Sequence, residues 1–238
     1  MKKFCLDFSF AKWQKVAVIC FLLIVQVALI LCIYIFPFFV KKVDQPTKSF
    51  IIILDAGHGG IDGGVVGSLT GVKESDLNLE ITFKLKKTLT ERGAKVVLTR
   101  QDKNGLYGEY SKGFKLRDMQ KRRQIIQDAN PDLVVSIHMN KFSDTRRSGP
   151  QVFFQRGSQN GQQFANAIQK TLNDFTNNSY TALGGDFYIC QCVDVPSVIV
   201  ECGFLSNNTE EKQLCDKTYQ TLLVEEITKG IFAYLYSL

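Results

Sequence analysis

Phe50-Ile51-Ile52-Ile53-Leu54-Asp55-Ala56-Gly57-His58-Gly59-Gly60 is the stretch on which the fold turns. Its apolar residues run without a polar break and stop short of glycines, the mark of a short strand buried on both faces. Downstream, Leu77, Ile81, Leu85 and Leu89 make a helical stripe over 74–92, closed by Gly93. Strands are predicted at 95–99 and 133–137, and between them a charged amphipathic helix at 116–129 stops before Pro131. Further strands are predicted at 151–155, 187–192 and 197–200, with helices at 162–172 and 219–236; the last buries Leu223, Ile227, Ile231 and Tyr234. Strands alternating with helices predict the α/β class. One domain with a mostly parallel mixed sheet of about six strands, covered by helices on both faces, fills 50–238. No internal repeat or low-complexity segment interrupts it.

The residues before this domain read differently. From Val16 to Val40 there are 25 residues without a charge, and Gln26 is the only strongly polar side chain. About 20 apolar residues span a bilayer as a helix, and a buried core helix would show a polar face that this run lacks. The run leaves through Phe36-Pro37-Phe38-Phe39-Val40-Lys41 with no Ala-x-Ala, and neither Cys20 nor Cys32 follows a small residue. These features favour an uncleaved transmembrane anchor at 16–40 over a cleaved signal segment. Lys2, Lys3, Lys12 and Lys15 place residues 1–15 in the cytoplasm. Residues 41–49, with Pro46, read as a linker, and the domain beyond is extracytoplasmic, membrane-anchored or secreted.

Charge follows the same division. The 238 residues hold 29 Lys+Arg against 23 Asp+Glu, a net charge of +6 that invites a nucleic-acid partner. Seven lysines and two aspartates lie in residues 1–49, which leaves 22 basic and 21 acidic residues from Phe50 onward. The domain is near neutral, and no nucleic-acid partner is expected. A hydrophobic content of 45% with 22% charged residues excludes a disordered chain. Cys190, Cys192, Cys202 and Cys215 fix no disulfide pairing by their spacing and are expected as buried free thiols.

The chain has only two histidines. His58 follows the first strand of the domain, and His138 ends the strand Leu133-Val-Val-Ser-Ile137. Taken singly, each is more simply an isolated polar residue. In a parallel sheet, however, both emerge at the carboxyl edge where such sheets place their sites, and the coincidence points to one shared site. Glu74 opens the helix after the glycine loop, where a capping-type surface role would also suit it. Glu201 ends Ser197-Val-Ile-Val200, and a carboxylate after four apolar strand residues is costly to bury without a partner. Two imidazoles and one carboxylate match a catalytic zinc site with an open fourth position. A second carboxylate that is not a ligand then relays the proton; Glu201 is the natural candidate, leaving His58, Glu74 and His138 for the metal. The glycine loop lacks both a P-loop Lys-Ser/Thr and the G-x-G-x-x-G spacing, and no H-E-x-x-H occurs.

Ile53-Leu-Asp-Ala-Gly-His-Gly-Gly60, Lys73-Glu74, Leu98-Thr-Arg100, Ala129-Asn-Pro-Asp-Leu-Val-Val-Ser-Ile-His-Met-Asn140 and Val200-Glu-Cys-Gly-Phe-Leu-Ser-Asn207 together resemble zinc-dependent N-acetylmuramoyl-L-alanine amidases, in the type-3 catalytic domain. The resemblance covers roughly residues 50–236, and the order of several motifs makes it specific. It implies Zn2+ held by His58, Glu74 and His138, and a catalytic glutamate at Glu201. It also implies hydrolysis of the amide between N-acetylmuramic acid and the L-Ala of the stem peptide. Within the family the chain is most similar to the germination-specific, spore-cortex branch, which is short, begins with a hydrophobic segment and lacks wall-binding repeats. That likeness implies a place in the forespore intermembrane space and a functional link to a muramic-acid deacetylase that completes muramic-δ-lactam. Met139, Cys190-Gln191 and Ser179-Tyr180 depart from the family pattern and bear on how substrate is gripped and on an activating partner protein. Two other readings are a zinc peptidase cutting within stem peptides and a non-catalytic wall-assembly protein of the same fold.

Overall fold

The computed structural model of the chain describes residues 4–39 and 49–238. It divides into two compact units, Met1–Thr47 and Lys48–Leu238. The first contains helix α1, Phe4–Phe39. Its segment Trp13–Leu31 is long and apolar enough to cross a membrane, a property that anchors and signal sequences share. The helix already includes Lys12 and Lys15, so it starts well before the expected boundary at residue 16. Apart from Ser49, the expected linker at 41–49 lies outside the described residues.

The second unit is built on a six-stranded sheet: β1 Ile51–Ala56, β2 Lys95–Leu98, β3 Leu133–Asn140, β4 Gln151–Gln155, β5 Leu183–Gly185 and β6 Ser197–Phe204. Their order is β2-β1-β3-β6-β4-β5. Every neighbouring pair is parallel except β4 with β6. Five helices join them: α2 Glu74–Glu91, α3 Phe114–Ala129, α4 Gln159–Thr176, α5 Asn208–Cys215 and α6 Lys217–Leu235.

Side chains alternate across a strand, and the two faces of this sheet bury different sets. Ile52 and Leu54 of β1, Val135 and Ile137 of β3 and Val198 and Val200 of β6 pack against α2, α4 and α6. Leu77, Ile81 and Leu85 of α2, Phe164 and Ile168 of α4 and Ile227 and Ile231 of α6 meet them there. On the opposite face Ile53, Val134 and Ile199 pack on Ile126 of α3 and on Ile189, Cys190 and Cys192. Burying each such aliphatic side chain contributes about 1.5–3 kcal/mol. A sheet covered on both faces explains the near-continuous apolar runs of β1 and β3.

The layout also positions a site. The connection leaving β1 runs through α2 to β2, whereas that leaving β3 runs towards β4 on the other side. Adjacent parallel strands whose connections part in this way open a crevice at their carboxyl ends. His58 lies just past the end of β1 and His138 lies near the end of β3.

The expected strand at 187–192 is not formed. A single 3-10 turn, Tyr188–Gln191, lies there instead, with Ile189 and Cys190 buried in the smaller core. The sixth strand is β5, a three-residue edge element two residues earlier in the chain. Periodicity cannot separate a buried turn from a short strand, because both bury an apolar run. Helix α5 is an addition to the expected elements. Asn207 caps it, accepting from the backbone N–H groups of Thr209 and Glu210. Cys190, Cys192 and Cys202 are buried free thiols, while Cys215 is only half-buried. Burial pushes the Cys190 thiol up to about 12, which keeps it unreactive.

Candidate metal centre

The loop after β1 is held in an uncommon backbone shape. His58 has φ 60°, in the left-handed region that non-glycine residues rarely enter, and Gly60 follows at φ 63°. Such a conformation persists only where the surroundings enforce it. Two buried arginines do so. Arg100 donates from Nε to the Ala56 carbonyl at 2.8 Å and from Nη2 to the Gly57 carbonyl at 3.0 Å. Arg122 of α3 donates to the carbonyls of Ala56 at 2.8 Å and His58 at 2.6 Å. Arg122 is itself held by Asp55 at 2.5 Å and Asp118 at 2.6 Å. Burial alone would raise the Asp55 pKa; Arg122 and the hydroxyls of Ser136 and Thr99 outweigh it and hold the carboxyl at about 2.

Glu74 begins α2 with its side chain 2% exposed, and its two oxygens have separate duties. Oε2 accepts from the Val65 N–H at 2.8 Å. Oε1 accepts from the Met139 N–H at 3.1 Å and from Asn78 Nδ2 at 3.3 Å. The same oxygen lies 2.9 Å from His138 Nδ1 and 3.3 Å from His58 Nε2. The ligand atoms of His58, Glu74 and His138 all lie within 4.8 Å of one another. The imidazole centroids are 5.0 Å apart, with the rings inclined at 75°.

Glycines let these side chains converge. A Cβ on Gly57 would stand 2.3 Å from Cε1 and Nε2 of His138. One on Gly64, at φ 67°, would stand 2.4 Å from Glu74 Oε2. Asp62 completes the shell, 3.1 Å from His58 Nδ1 and 3.3 Å from Lys115 Nζ. With Nδ1–H donated to Asp62, His58 turns Nε2 towards Glu74, where a metal ion would replace the proton on it.

The electrostatics favour a cation among these groups. Burial works against the charged form of Glu74, yet hydrogen bonds from His138 and His58 outweigh it and hold the carboxyl far below the usual range. Burial likewise lowers the His58 pKa, and Glu74 and Asp62 reverse the effect and raise it. An ionised carboxylate that draws a proton onto the His58 ring offers the same attraction to a metal ion. Two nitrogen donors and one oxygen donor, with an outer carboxylate fixing one ring, fit a zinc site.

Glu201 stands directly across the β3–β6 ladder from His138. Cross-strand partners share a face of the sheet, so its carboxyl points to the same side as the His138 ring. Oε2 of Glu201 is sealed from solvent and has no hydrogen-bond partner. Burial, reinforced by the Glu74 charge against the attraction of the histidines, pushes its pKa up to about 7. The four residues singled out in the sequence are therefore together at one edge.

The sequence profile of the N-acetylmuramoyl-L-alanine amidase family matches residues 52–233. The chain belongs to that amidase family. The germination-specific N-acetylmuramoyl-L-alanine amidase of Bacillus subtilis (strain 168) is 34% identical over 200 residues, 82% of this chain and 83% of that protein. Among solved structures, the CwlD amidase from Clostridioides difficile, in complex with the GerS lipoprotein, matches with a TM-score of 0.77 at 36% identity. That match covers 80% of this chain and 100% of that one. The catalytic domain of CwlV, an amidase from Bacillus (Paenibacillus) polymyxa var. colistinus, matches at 28% identity and a TM-score of 0.68 over 79% and 98%. In this amidase, sequence reasoning missed Asp55, Asp62, Asn78 and Arg122 as parts of the site. Arg122 carried a signal, since it lies four residues before Ile126 on the buried side of a helix otherwise described by its charges.

Proposed function

We propose that this chain is a zinc-dependent amidase of exported peptidoglycan, which hydrolyses the amide between the lactyl group of N-acetylmuramic acid and the L-Ala of the stem peptide. The catalytic domain is assigned to 50–238, behind a membrane segment at 16–40 and a linker at 41–49. His58, Glu74 and His138 would hold the zinc. One observation carries the reading: three donor atoms within 4.8 Å of one another, beside a glutamate oxygen sealed without a partner.

Zinc supplies Lewis acidity to the scissile carbonyl and to a water nucleophile. The chain's own residues do the rest. Oε2 of Glu201 accepts the proton of that water and returns it to the departing amide nitrogen. Asp62 holds the His58 ring, and Asn78 and Met139 hold Glu74 Oε1. Gly57→Ala is expected to displace the His138 ring and to lower zinc affinity about 10–100-fold, read by chelator competition on folded protein.

The Bacillus subtilis relative is named germination-specific, which supports spore cortex as the substrate. On this reading the product stands ahead of a muramic-acid deacetylase that forms muramic-δ-lactam, and the enzyme works in the forespore intermembrane space. The Clostridioides difficile relative was solved in complex with a lipoprotein, which supports an activating partner protein here. The test is digestion of purified cortex by the full chain in detergent, with zinc, and mass spectrometry of the products. Free lactyl carboxylates with intact stem peptides are expected. Shortened peptides still joined to muramic acid would make the protein a peptidase, and unchanged polymer would make it a binding or assembly protein.

A further inference from the structure

The residues leading into Glu74 form a small hairpin over 65–74 with few rungs. The Glu74 N–H donates to the Val65 carbonyl at 2.9 Å, Val66 and Lys73 make an antiparallel bridge, and the Gly67 N–H donates to the Val72 carbonyl at 2.9 Å. The base of this hairpin orients the Glu74 carboxylate. The Val65 N–H occupies Oε2 at 2.8 Å, which leaves Oε1 to face both histidines. Two short paired strands are at best marginally stable alone in water, so the far end of the hairpin needs an anchor.

Glu211, in the first turn of α5, supplies it. The side chain is buried, and both oxygens are engaged by the hairpin tip. Oε1 accepts from the Thr70 N–H at 2.7 Å and from the Thr70 hydroxyl at 2.6 Å, and Oε2 accepts from the Leu69 N–H at 2.8 Å. Thr70 Oγ1 in turn accepts from the Val72 N–H at 3.2 Å. Burial alone would raise the Glu211 pKa; the Thr70 hydroxyl and the N–H groups of residues 68–70 outweigh it and lower it. Residues 68–71 are exposed, so little packing backs up these bonds. The approach is close: a Cβ on Gly67 would stand 2.4 Å from Glu211 Oε1. Glu210, one residue earlier, is buried as well but serves other partners, the N–H groups of Gly149 at 2.7 Å and Phe204 at 2.8 Å.

We propose that Glu211 is a positioning residue for Glu74: it clamps the tip of the 65–74 hairpin, and the hairpin carries that restraint to the Val65 N–H and so to the carboxylate. This rests on the zinc reading above and deepens it, because part of the metal affinity then resides on a helix outside the cluster.

The experiment uses the full chain in detergent. Glu211→Gln keeps the size of the side chain but turns an NH2 group towards a donor of the tip. Zinc affinity, read by chelator competition on folded protein, is expected to fall about tenfold. In zinc-free protein, hydrogen exchange at the amides of Val65, Leu69 and Thr70 should speed up, while Val134 in the sheet keeps its wild-type rate. Thr70→Val, on the exposed tip, loses one of the three bonds and should show both changes at smaller size. Gly67→Ala drives the carboxylate away without altering it; it should match Glu211→Gln, and the double variant should add little. Glu210→Gln should leave zinc affinity at the wild-type level. A merely structural Glu211 would lower Tm and leave zinc affinity and Val65 exchange unchanged. That result would overturn the clamp, as would an equal loss of zinc affinity in Glu210→Gln. His138→Ala, run beside them, separates the two ideas. If it binds zinc as tightly as the wild type, the metal assignment itself has failed; loss in His138→Ala with none in Glu211→Gln overturns the clamp alone.

Discussion

Glu201→Gln is expected to lower kcat for amide hydrolysis by about 10²–10⁴ while zinc content stays at the wild-type level. Glutamine keeps the shape of the side chain and the ladder between β3 and β6, in which Glu201 faces His138. What it removes is an oxygen able to take and return a proton. Because Oε2 has no partner in the resting protein, the wild type already carries that unsatisfied group, and glutamine removes its charge without removing a bond. The lost rate should therefore come without a lower Tm and without loss of metal. The wild-type profile carries a second signature. Burial sets the Glu201 pKa near 7, and a cation at the neighbouring cluster pulls it down. The base form is thus present above that pKa and lost as pH falls through it. The acid limb of kcat/KM should lie at or below about 7 and vanish in the glutamine variant. Full activity of Glu201→Gln, or loss of its zinc, would end the assignment.

The contrast between what the sequence disclosed and what it hid has a physical cause. Burial on both faces writes itself into Ile51–Leu54 and Leu133–Ile137 as apolar runs broken only by Ser136, so β1 and β3 were legible as strands. Once they are adjacent and parallel, His58 and His138 must emerge at one edge, and Glu201, at the end of another such run, joins them. Helix α2 places Glu74 there because the helix begins at that residue. The segment 187–192 was misread because its apolar residues are buried by a turn rather than a strand, and the two bury similar patterns. Asp55 and Arg122 were hidden for another reason. A buried ion pair depends on contact between β1 and α3, residues far apart in sequence, and the place of Arg122 on the Ile126 side of its helix hinted at burial without naming a partner. Asp62 was lost in a glycine loop that was weighed only for phosphate-binding spacing, although its distance from His58, four residues, allows the contact seen at 3.1 Å.

Arg122→Ala is expected to destabilise the domain by about 3–5 kcal/mol, the cost of leaving a buried charge without its partner. Arg122 is 1% exposed and Asp55 2% exposed. Ser136 and Thr99 still donate to Asp55 at 2.6 Å each, but hydroxyls replace a full positive charge only in part. In the wild type the Asp55 pKa is held at about 2, below its unfolded value. The stability it contributes is present above the unfolded pKa and is lost as pH falls towards 2. The variant should show little of that acid-dependent loss, because its Asp55 pKa is no longer depressed by the guanidinium. Chemical unfolding at several pH values between 7 and 3 measures both effects. Asp55→Asn in the Arg122→Ala background should recover part of the loss, whereas additive losses would show that the pair is not coupled. The same side chain also donates to the His58 carbonyl, so the left-handed loop loses a restraint. Zinc affinity should therefore fall even under conditions where the variant is fully folded. A stable Arg122→Ala protein with unchanged zinc affinity would show that the loop holds its shape without the arginine, and that Arg100 alone is enough.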